Sequence, residues 1–342
     1  MNKKLIVWQS WLHPYYSSII AFAAAIIAAI FFIVLQASNP LDALTSFFAG
    51  PWSSPWLFGN MLDQSALFIT AGLGIVLSFR GGTFNLGGEG QIYLGGLAAS
   101  AVLLSMKNLP GPIALMLACL TAITVGALLG TLSGWLKMKG ASELITSFLL
   151  SAAIIPLVDY CIIGPLRDTS GSLQATKSFA ADRILAFLLP PSRLSISFLV
   201  ALLLVLLGHF WLNSTRTGYR FRIAGSAPVF ARYGGINVER YWIPSMLASG
   251  ALQGLAGFFA VAGTYGICHR GFSGGLGWNA ITVALVAGNK PLALIPAAIL
   301  YAWIRAGSDA ALLSSGIQLD TAAFIQAFIL ILVTVQFNRR SK

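Results

Sequence analysis

The chain has 342 residues, of which 57% are hydrophobic and only 9% are charged, and its mean hydropathy is +0.81. Soluble domains carry about 25% charged residues. This composition therefore excludes a soluble globular protein and predicts a membrane protein with lipid as part of its solvent. The formal net charge of +11 does not indicate a nucleic-acid partner, because the basic residues lie in short loops without a basic stripe or interleaved aromatics.

Apolar runs near the length of about 20 residues that crosses a bilayer predict an all-α, polytopic transmembrane bundle of about ten segments. The run at 17–36 is too long for a cleaved signal peptide and is expected to be a first span. The stronger runs are 17–36, 63–79, 91–107, 112–136, 142–164, 194–213, 242–263 and 320–337. Two weaker runs, 276–289 and 291–306, are either short spans or re-entrant half-helices. The second reading leaves eight full spans.

Either count places both termini in the cytoplasm and most lysines and arginines on the inner side, as the positive-inside rule requires. The opposite orientation would place most of these lysines and arginines on the outer side. The prediction is a single transmembrane domain over residues 1–342 in a bacterial inner membrane. Its longest charged cytoplasmic loop spans 214–241.

Small residues predict close helix packing. Gly126, Gly130 and Gly134 recur every four residues, as do Gly250 and Gly254. Such small faces let two backbones approach closely in lipid, where packing drives helix association. A chance spacing among the 35 glycines of the chain is the alternative.

The densest polar cluster between apolar spans is the segment 80–91, which contains five glycines. Each glycine destabilises a helix by about 1 kcal/mol relative to alanine, so we expect the backbone to be broken here. Broken backbone at membrane depth lines protein or a water-filled cavity and marks transport sites. A tight turn in which Arg80 satisfies Glu89 is the structural alternative. A phosphate loop is disfavoured, because no strand precedes the segment and no Gly-Lys-Ser/Thr follows it.

The loop 214–241 contains a predicted short helix outside the membrane. In this prediction Gly225 breaks the chain, Ser226 caps the helix and Pro228 occupies its first turn. Residues 227–233 form about two turns, which Gly234 and Gly235 end. A short capped helix of this kind is a docking element by shape. The alternative is an ordinary basic loop held by anionic lipid.

Four segments together resemble a known family, the nucleoside and simple-sugar permeases of ABC importers, which also include branched-chain amino acid and ribose permeases. In chain order they are FRGGTFNLGGEGQ at 79–91, ASELITSFLLS at 141–151, FRIAGSAPVFARYGGINVERY at 221–241 and GLGWNAITVALVAGNKPLAL at 275–294. The match departs from the family pattern at Ser142, Ser151, Asn279 and Ala280, all near the expected substrate path. The resemblance implies a nucleoside or similar ribosyl or ribityl cargo, with a simple sugar or riboflavin as alternatives.

The resemblance also implies a division of labour. A second permease subunit, cytoplasmic ATPase subunits that use ATP and Mg, and an extracytoplasmic binding protein would be the partners. This chain has no Walker A motif, and Cys119, Cys161 and Cys268 show no spacing typical of a metal site or disulfide. We therefore expect neither cofactor nor metal in this chain. The residues expected to line the substrate path are Phe84, Asn85, Glu89, Gln91 and Asn279. Those expected to couple to the ATPase are Ser226, Ala227, Pro228, Ala231, Arg232, Tyr233 and Gly235.

Two rival functions remain open from the residues alone. An intramembrane serine hydrolase would use Ser273 in a Gly-x-Ser-x-Gly motif, but His269 lies too close in sequence to act as its base, and the strand-turn-helix context is missing. An ion-coupled secondary transporter would need a relay of buried carboxylates, for which only Glu89 and Glu143 qualify.

Overall fold

A computed structural model describes residues 39–315 and, of the preceding stretch, residues 26, 27, 30, 31, 33–35 and 37. Between Pro40 and Ser315 the chain is mostly helical, and its longest connection, residues 164–196 between Ile163 and Ser197, contains only one short 3-10 turn. The helices are α1 (Pro40–Ala49), α2 (Pro55–Arg80), α3 (Gly88–Ser105), α4 (Gly111–Met138), α5 (Glu143–Ile163), α6 (Ser197–Ser214), α7 (Arg216–Ser226), α8 (Pro228–Tyr233), α9 (Trp242–Phe259), α10 (Leu276–Val286) and α11 (Pro291–Ser315).

Six helical segments in the described part of the chain are long and apolar enough to cross a membrane. They are α2, α4, α5, α6, α11 and the continuous run Glu239–Tyr265 that contains α9. The all-α membrane architecture predicted from composition is thereby confirmed. The predicted span 320–337 lies outside the described residues, as does most of the predicted span 17–36.

Burial separates a core from a periphery. Helices α2 and α9 are mostly buried, whereas most residues of α4, α5 and α6 are only partly buried or exposed. The exposed residues are mainly leucine, isoleucine and phenylalanine, which suits a surface in contact with lipid tails. The core therefore consists of α2, α3 and α9, flanked by α4 and α5 on one side and by α6 and α11 on the other.

The crossing of α4 and α9 confirms the predicted glycine packing. A Cβ atom added to Gly250 would overlap the carbonyl oxygen of Gly126, and one added to Gly254 would overlap the carbonyl oxygen of Ala122. A Cβ atom on Gly130 would likewise overlap the carbonyl oxygen of Met246. The two backbones are in direct contact, so these positions accept no larger side chain without displacement of a helix.

The two weaker apolar runs form helices of very different length. Helix α10 has 11 residues and rises about 16 Å, roughly half of a 30 Å hydrocarbon core. Helix α11 has 25 residues and is long enough to span. The half-helix alternative therefore fits α10, and it is wrong for 291–306.

The segment around the predicted docking helix also differs from the sequence prediction. Gly225 does not break the chain, because α7 continues to Ser226. The Ser226 hydroxyl donates to the carbonyl oxygen of Arg222 at 2.8 Å, so it does not cap the next helix. Ala227 occupies the N-cap position of α8. A glycine is required at 225 for a packing reason: α7 lies directly on the α2–α3 connection, and a Cβ atom there would overlap the carbonyl oxygen of Arg80.

Candidate functional site

The glycine-rich break between α2 and α3 is present as predicted. Helix α2 ends at Arg80, the chain is non-helical through Gly87, and Gly82 has a positive φ of 76°. Two α5 serines one turn apart hold the segment that leads into α3. The amide of Leu86 donates to Ser147 Oγ at 3.1 Å, and the amide of Gly90 donates to Ser151 Oγ at 2.7 Å.

These contacts place the break deep in the bundle. Ser151 lies eight residues beyond the first residue of α5, which corresponds to about 12 Å along the helix axis. Glu89, in the first turn of α3, is therefore near the middle of a 30 Å layer. It is buried, with 7% of its surface exposed.

A second break meets the first at Glu89. Residues 266–275 connect the continuous helical run Glu239–Tyr265 to α10, and Gly271, Gly274 and Gly275 have positive φ values. Glu89 Oε1 accepts from the Ser273 hydroxyl at 2.6 Å and from the amide of Gly275 at 3.0 Å, while Oε2 accepts from the amide of Gly277 at 2.7 Å. The carboxylate thus satisfies the free amides and the positive dipole at the start of α10.

The alternative pairing of Glu89 with Arg80 is wrong. The Arg80 guanidinium instead donates from Nε to the carbonyl oxygen of Asn289 at 2.8 Å, just beyond the end of α10. The half-helix α10 is therefore tied at its start to α3 and beyond its end to α2.

A further set of contacts joins the same two breaks. Tyr93, one turn after Glu89, donates its hydroxyl to Asp159 and accepts from the amide of Gly271 at 2.7 Å. Arg270 Nε pairs with Asp159 at 3.3 Å. Asp159 therefore anchors the 266–275 segment to α5.

Asn85 and Gln91 belong to a buried polar network. Asn85 Nδ2 donates to Gln91 Oε1 at 2.8 Å and to Ser249 Oγ at 2.9 Å, and its Oδ1 accepts from the amide of Gly87 at 2.9 Å. Both side chains are almost fully buried. In this conformation they shape the break, so their contact with a cargo stays a prediction.

Three aromatic side chains and one amide face outward around the junction. Phe84, Phe148 and Trp278 are 45%, 44% and 41% exposed, and the rings of Phe148 and Trp278 lie 5.8 Å apart. Asn279 is half-buried at the start of α10. Phe84 and Asn279 were predicted from their sequence segments, whereas Phe148 and Trp278 were not, because α5 and α10 bring these two side chains together across 130 residues.

The helix α8 that is predicted to dock on the ATPase has exposed and buried residues. Val229, Phe230 and Tyr233 project outward from α8, and Tyr233 is 90% exposed. Ala231 is buried against Ala224 and Val238, so it positions the helix. The Arg232 guanidinium pairs with Glu239, and Gly235 has a φ of 74° directly after the helix. Pro228 occupies the first turn as predicted.

One buried carboxylate escaped the sequence analysis. Asp63 in α2 accepts from the hydroxyl of Thr264 at 2.6 Å and from that of Ser195 at 3.4 Å. Asp63 is only 1% exposed. Its carboxylate joins Thr264, near the end of the run Glu239–Tyr265, to Ser195 in the loop before α6. A carboxylate at the edge of an apolar run was the available signal, because ionisable groups in such runs are costly unless they have a partner.

The rival hydrolase finds no support in this geometry. The Ser273 hydroxyl donates to Glu89, whereas His269 Nδ1 lies 2.9 Å from the carbonyl oxygen of Arg270. A lipid-exposed helical bundle with two non-helical breaks that meet at its centre is the arrangement of a transporter. The class defined by the fold is therefore a multi-pass membrane permease.

The family follows from sequence comparison. Residues 57–334 match the family described as branched-chain amino acid transport system / permease component, and the chain belongs to this family. It is the permease subunit of an ABC transporter, which is a transport subunit and not a catalytic one. It works in a membrane with an ATPase and a substrate-binding protein.

The names of individual relatives refer to different cargoes. The chain is 38% identical to the probable riboflavin import permease protein RfuC of Treponema pallidum, over 90% of this chain and 81% of the relative. It is 30% identical to the glucose ABC transporter permease protein TsgB13 of Haloferax volcanii, over 88% and 82%. It is 28% identical to the guanosine ABC transporter permease protein NupP of Bacillus subtilis, over 94% and 93%.

Proposed function

We propose that this chain imports a ribosyl or ribityl compound with a planar heterocycle, a nucleoside or riboflavin, across a bacterial inner membrane. The junction of the two breaks at Glu89 carries the proposal, because non-helical backbone at this depth must border protein or a water-filled path. The exposed rings of Phe84, Phe148 and Trp278 beside it offer stacking surfaces for a flat ring. Names of the relatives that refer to riboflavin and guanosine support the same cargo class.

The path lies where this chain meets a second permease subunit. Phe84 and Asn279 face it, together with Phe148 and Trp278, while Asn85, Glu89 and Gln91 hold its wall in place. Residues 1–342 form one permease domain with both termini in the cytoplasm. In this orientation α7, α8 and the rest of the loop 214–241 lie on the side of the ATPase. The ATPase, and not this chain, hydrolyses ATP with Mg.

The cargo is tested with the complete importer reconstituted in liposomes. We expect ATP-dependent uptake of radiolabelled riboflavin or guanosine and much less uptake of glucose. Trp278→Ala is expected to raise the half-saturating concentration of the heterocyclic cargo about tenfold, since an aromatic stacking contact is worth about 0.5–1.5 kcal/mol beyond area burial. Phe210→Ala on the exposed face of α6 is the matched control. Preferred uptake of glucose would contradict the proposal.

Coupling to the ATPase is tested at Tyr233. Tyr233→Asp places a charge on the most exposed residue of α8, and we expect it to abolish co-purification of the ATPase, because a charge in an apolar contact costs several kcal/mol. Leu173→Asp, an exposed leucine on the predicted outer side, should leave the complex intact. Retention of the ATPase by the Tyr233 variant with full uptake would exclude α8 as the docking helix.

A further inference from the structure

A cationic groove of about 750 Å³ lies beside α8. Its walls are the end of α6, the first turns of α7 and the connection 234–241 before α9. Arg216, Arg220 and Arg240 line it and are exposed, and the residues that line the groove include no carboxylate. We infer that this groove binds the headgroup of an anionic phospholipid. The inference rests on the inward orientation proposed above.

Charge balance within the chain favours an external anion. The acidic side chains that belong to the same face, Glu143 and Glu239, already pair with Lys137 and Arg232. The undescribed stretches 1–25 and 316–342 contain a single acidic residue, Asp320, at the predicted outer end of the last span. Within the described residues no ion pair involves Arg216, Arg220 or Arg240, so an anionic group of another molecule can bind them.

The depth of the groove identifies that molecule as a lipid. Ser214 ends one membrane-spanning helix and Trp242 begins the next, so the groove opens where two spans leave the apolar layer. Guanidinium groups bind phosphate oxygens in a bidentate manner, and basic pockets at this level take anionic headgroups. Tyr219 and Tyr241 in the lining have the amphipathic rings typical of the same interface.

The groove is mechanically connected to the docking helix. Its wall includes Gly234, Gly235 and Ile236, which follow α8 directly. The amide of Ile236 donates to the carbonyl oxygen of Ala231 at 2.9 Å. A headgroup in the groove would therefore contact the turn that directly follows α8, the helix that exposes Phe230 and Tyr233.

The site is tested by native mass spectrometry of the full chain in mild detergent, titrated with phosphatidylglycerol or with phosphatidylcholine of the same acyl chains. We expect the wild type to retain phosphatidylglycerol about tenfold more tightly, since each basic residue near a membrane surface contributes about 1 kcal/mol before screening. The triple variant R216Q/R220Q/R240Q should lose this preference. The matched control K107Q/R167Q/K177Q, with the same change of charge on the predicted outer side, should keep it.

Several outcomes would overturn the site. They are equal retention of both lipids by the wild type, an equal loss in the control variant, or full displacement of phosphatidylglycerol by millimolar inorganic phosphate, which would indicate a site for free anions. If the triple variant fails to fold, R220Q alone should still weaken retention about threefold. The measurement needs neither ATPase nor cargo, so its result is independent of the transport assay.

Discussion

Replacement of Glu89 by glutamine is expected to reduce uptake at least tenfold and to lower the unfolding midpoint of the chain. Three donors converge on this buried carboxylate, from Ser273, Gly275 and Gly277. The glutamine amide nitrogen would face at least one of them as a second donor. Because hydrogen bonds to a buried charged group contribute about 1.5–3 kcal/mol each, we expect a loss of about 2–4 kcal/mol, measured by fluorescence-detected thermal unfolding without cargo.

Two further variants separate this structural role from direct contact with cargo. Asp42→Asn, at an exposed carboxylate, should change neither stability nor uptake. Ser273→Ala should cost about 1.5–3 kcal/mol and retain uptake, and its effect should be non-additive with Glu89→Gln because the two groups share one hydrogen bond. A stable Glu89 variant that fails only in cargo affinity would show instead that the carboxylate contacts the cargo.

Replacement of Gly250 by alanine is expected to prevent accumulation of folded protein. The added Cβ atom would overlap the carbonyl oxygen of Gly126 and lie 2.9 Å from its carbonyl carbon, so α4 and α9 would have to separate. Overpacking of a tight core costs about 1–3 kcal/mol, and here the obstacle is backbone that has no alternative rotamer. The measurement is the monodisperse fraction of a fluorescent fusion in size-exclusion chromatography.

Gly171→Ala is the matched control for this prediction. An added Cβ atom at that exposed position comes no nearer than 4.0 Å to another atom. Its yield should equal that of the wild type. A normal yield and melting temperature for Gly250→Ala would mean that the two helices are farther apart than the structure shows.

The local features of the sequence predicted the architecture well. Long apolar runs predicted the six membrane-length helices of the described residues, glycines four residues apart predicted the α4–α9 contact, and the glycine cluster at 81–90 predicted the break. Each of these depends on residues close together along the chain. Helix propensity, hydropathy and small-residue spacing act over one to five turns, so a single sequence contains them.

The long-range contacts that these segments make within the chain were not predictable in the same way. The bonds from Glu89 to the start of α10 join residues 184 to 188 positions apart, and Ser226 lost its capping role because α7 continues through Gly225 to pack on the α2–α3 connection. The tilted ring contact between Phe148 and Trp278 has the same long-range origin.

The sequence by itself determined that this protein is embedded in lipid, that its chain breaks within 81–90, and that the short helix α8 lies outside the spans. Only the tertiary structure decided what the break contacts: a second break, held at mid-depth by one carboxylate. The reason is physical. A glycine cluster interrupts a helix wherever it occurs, but a buried charge is stable only where folding brings donors from distant segments to it.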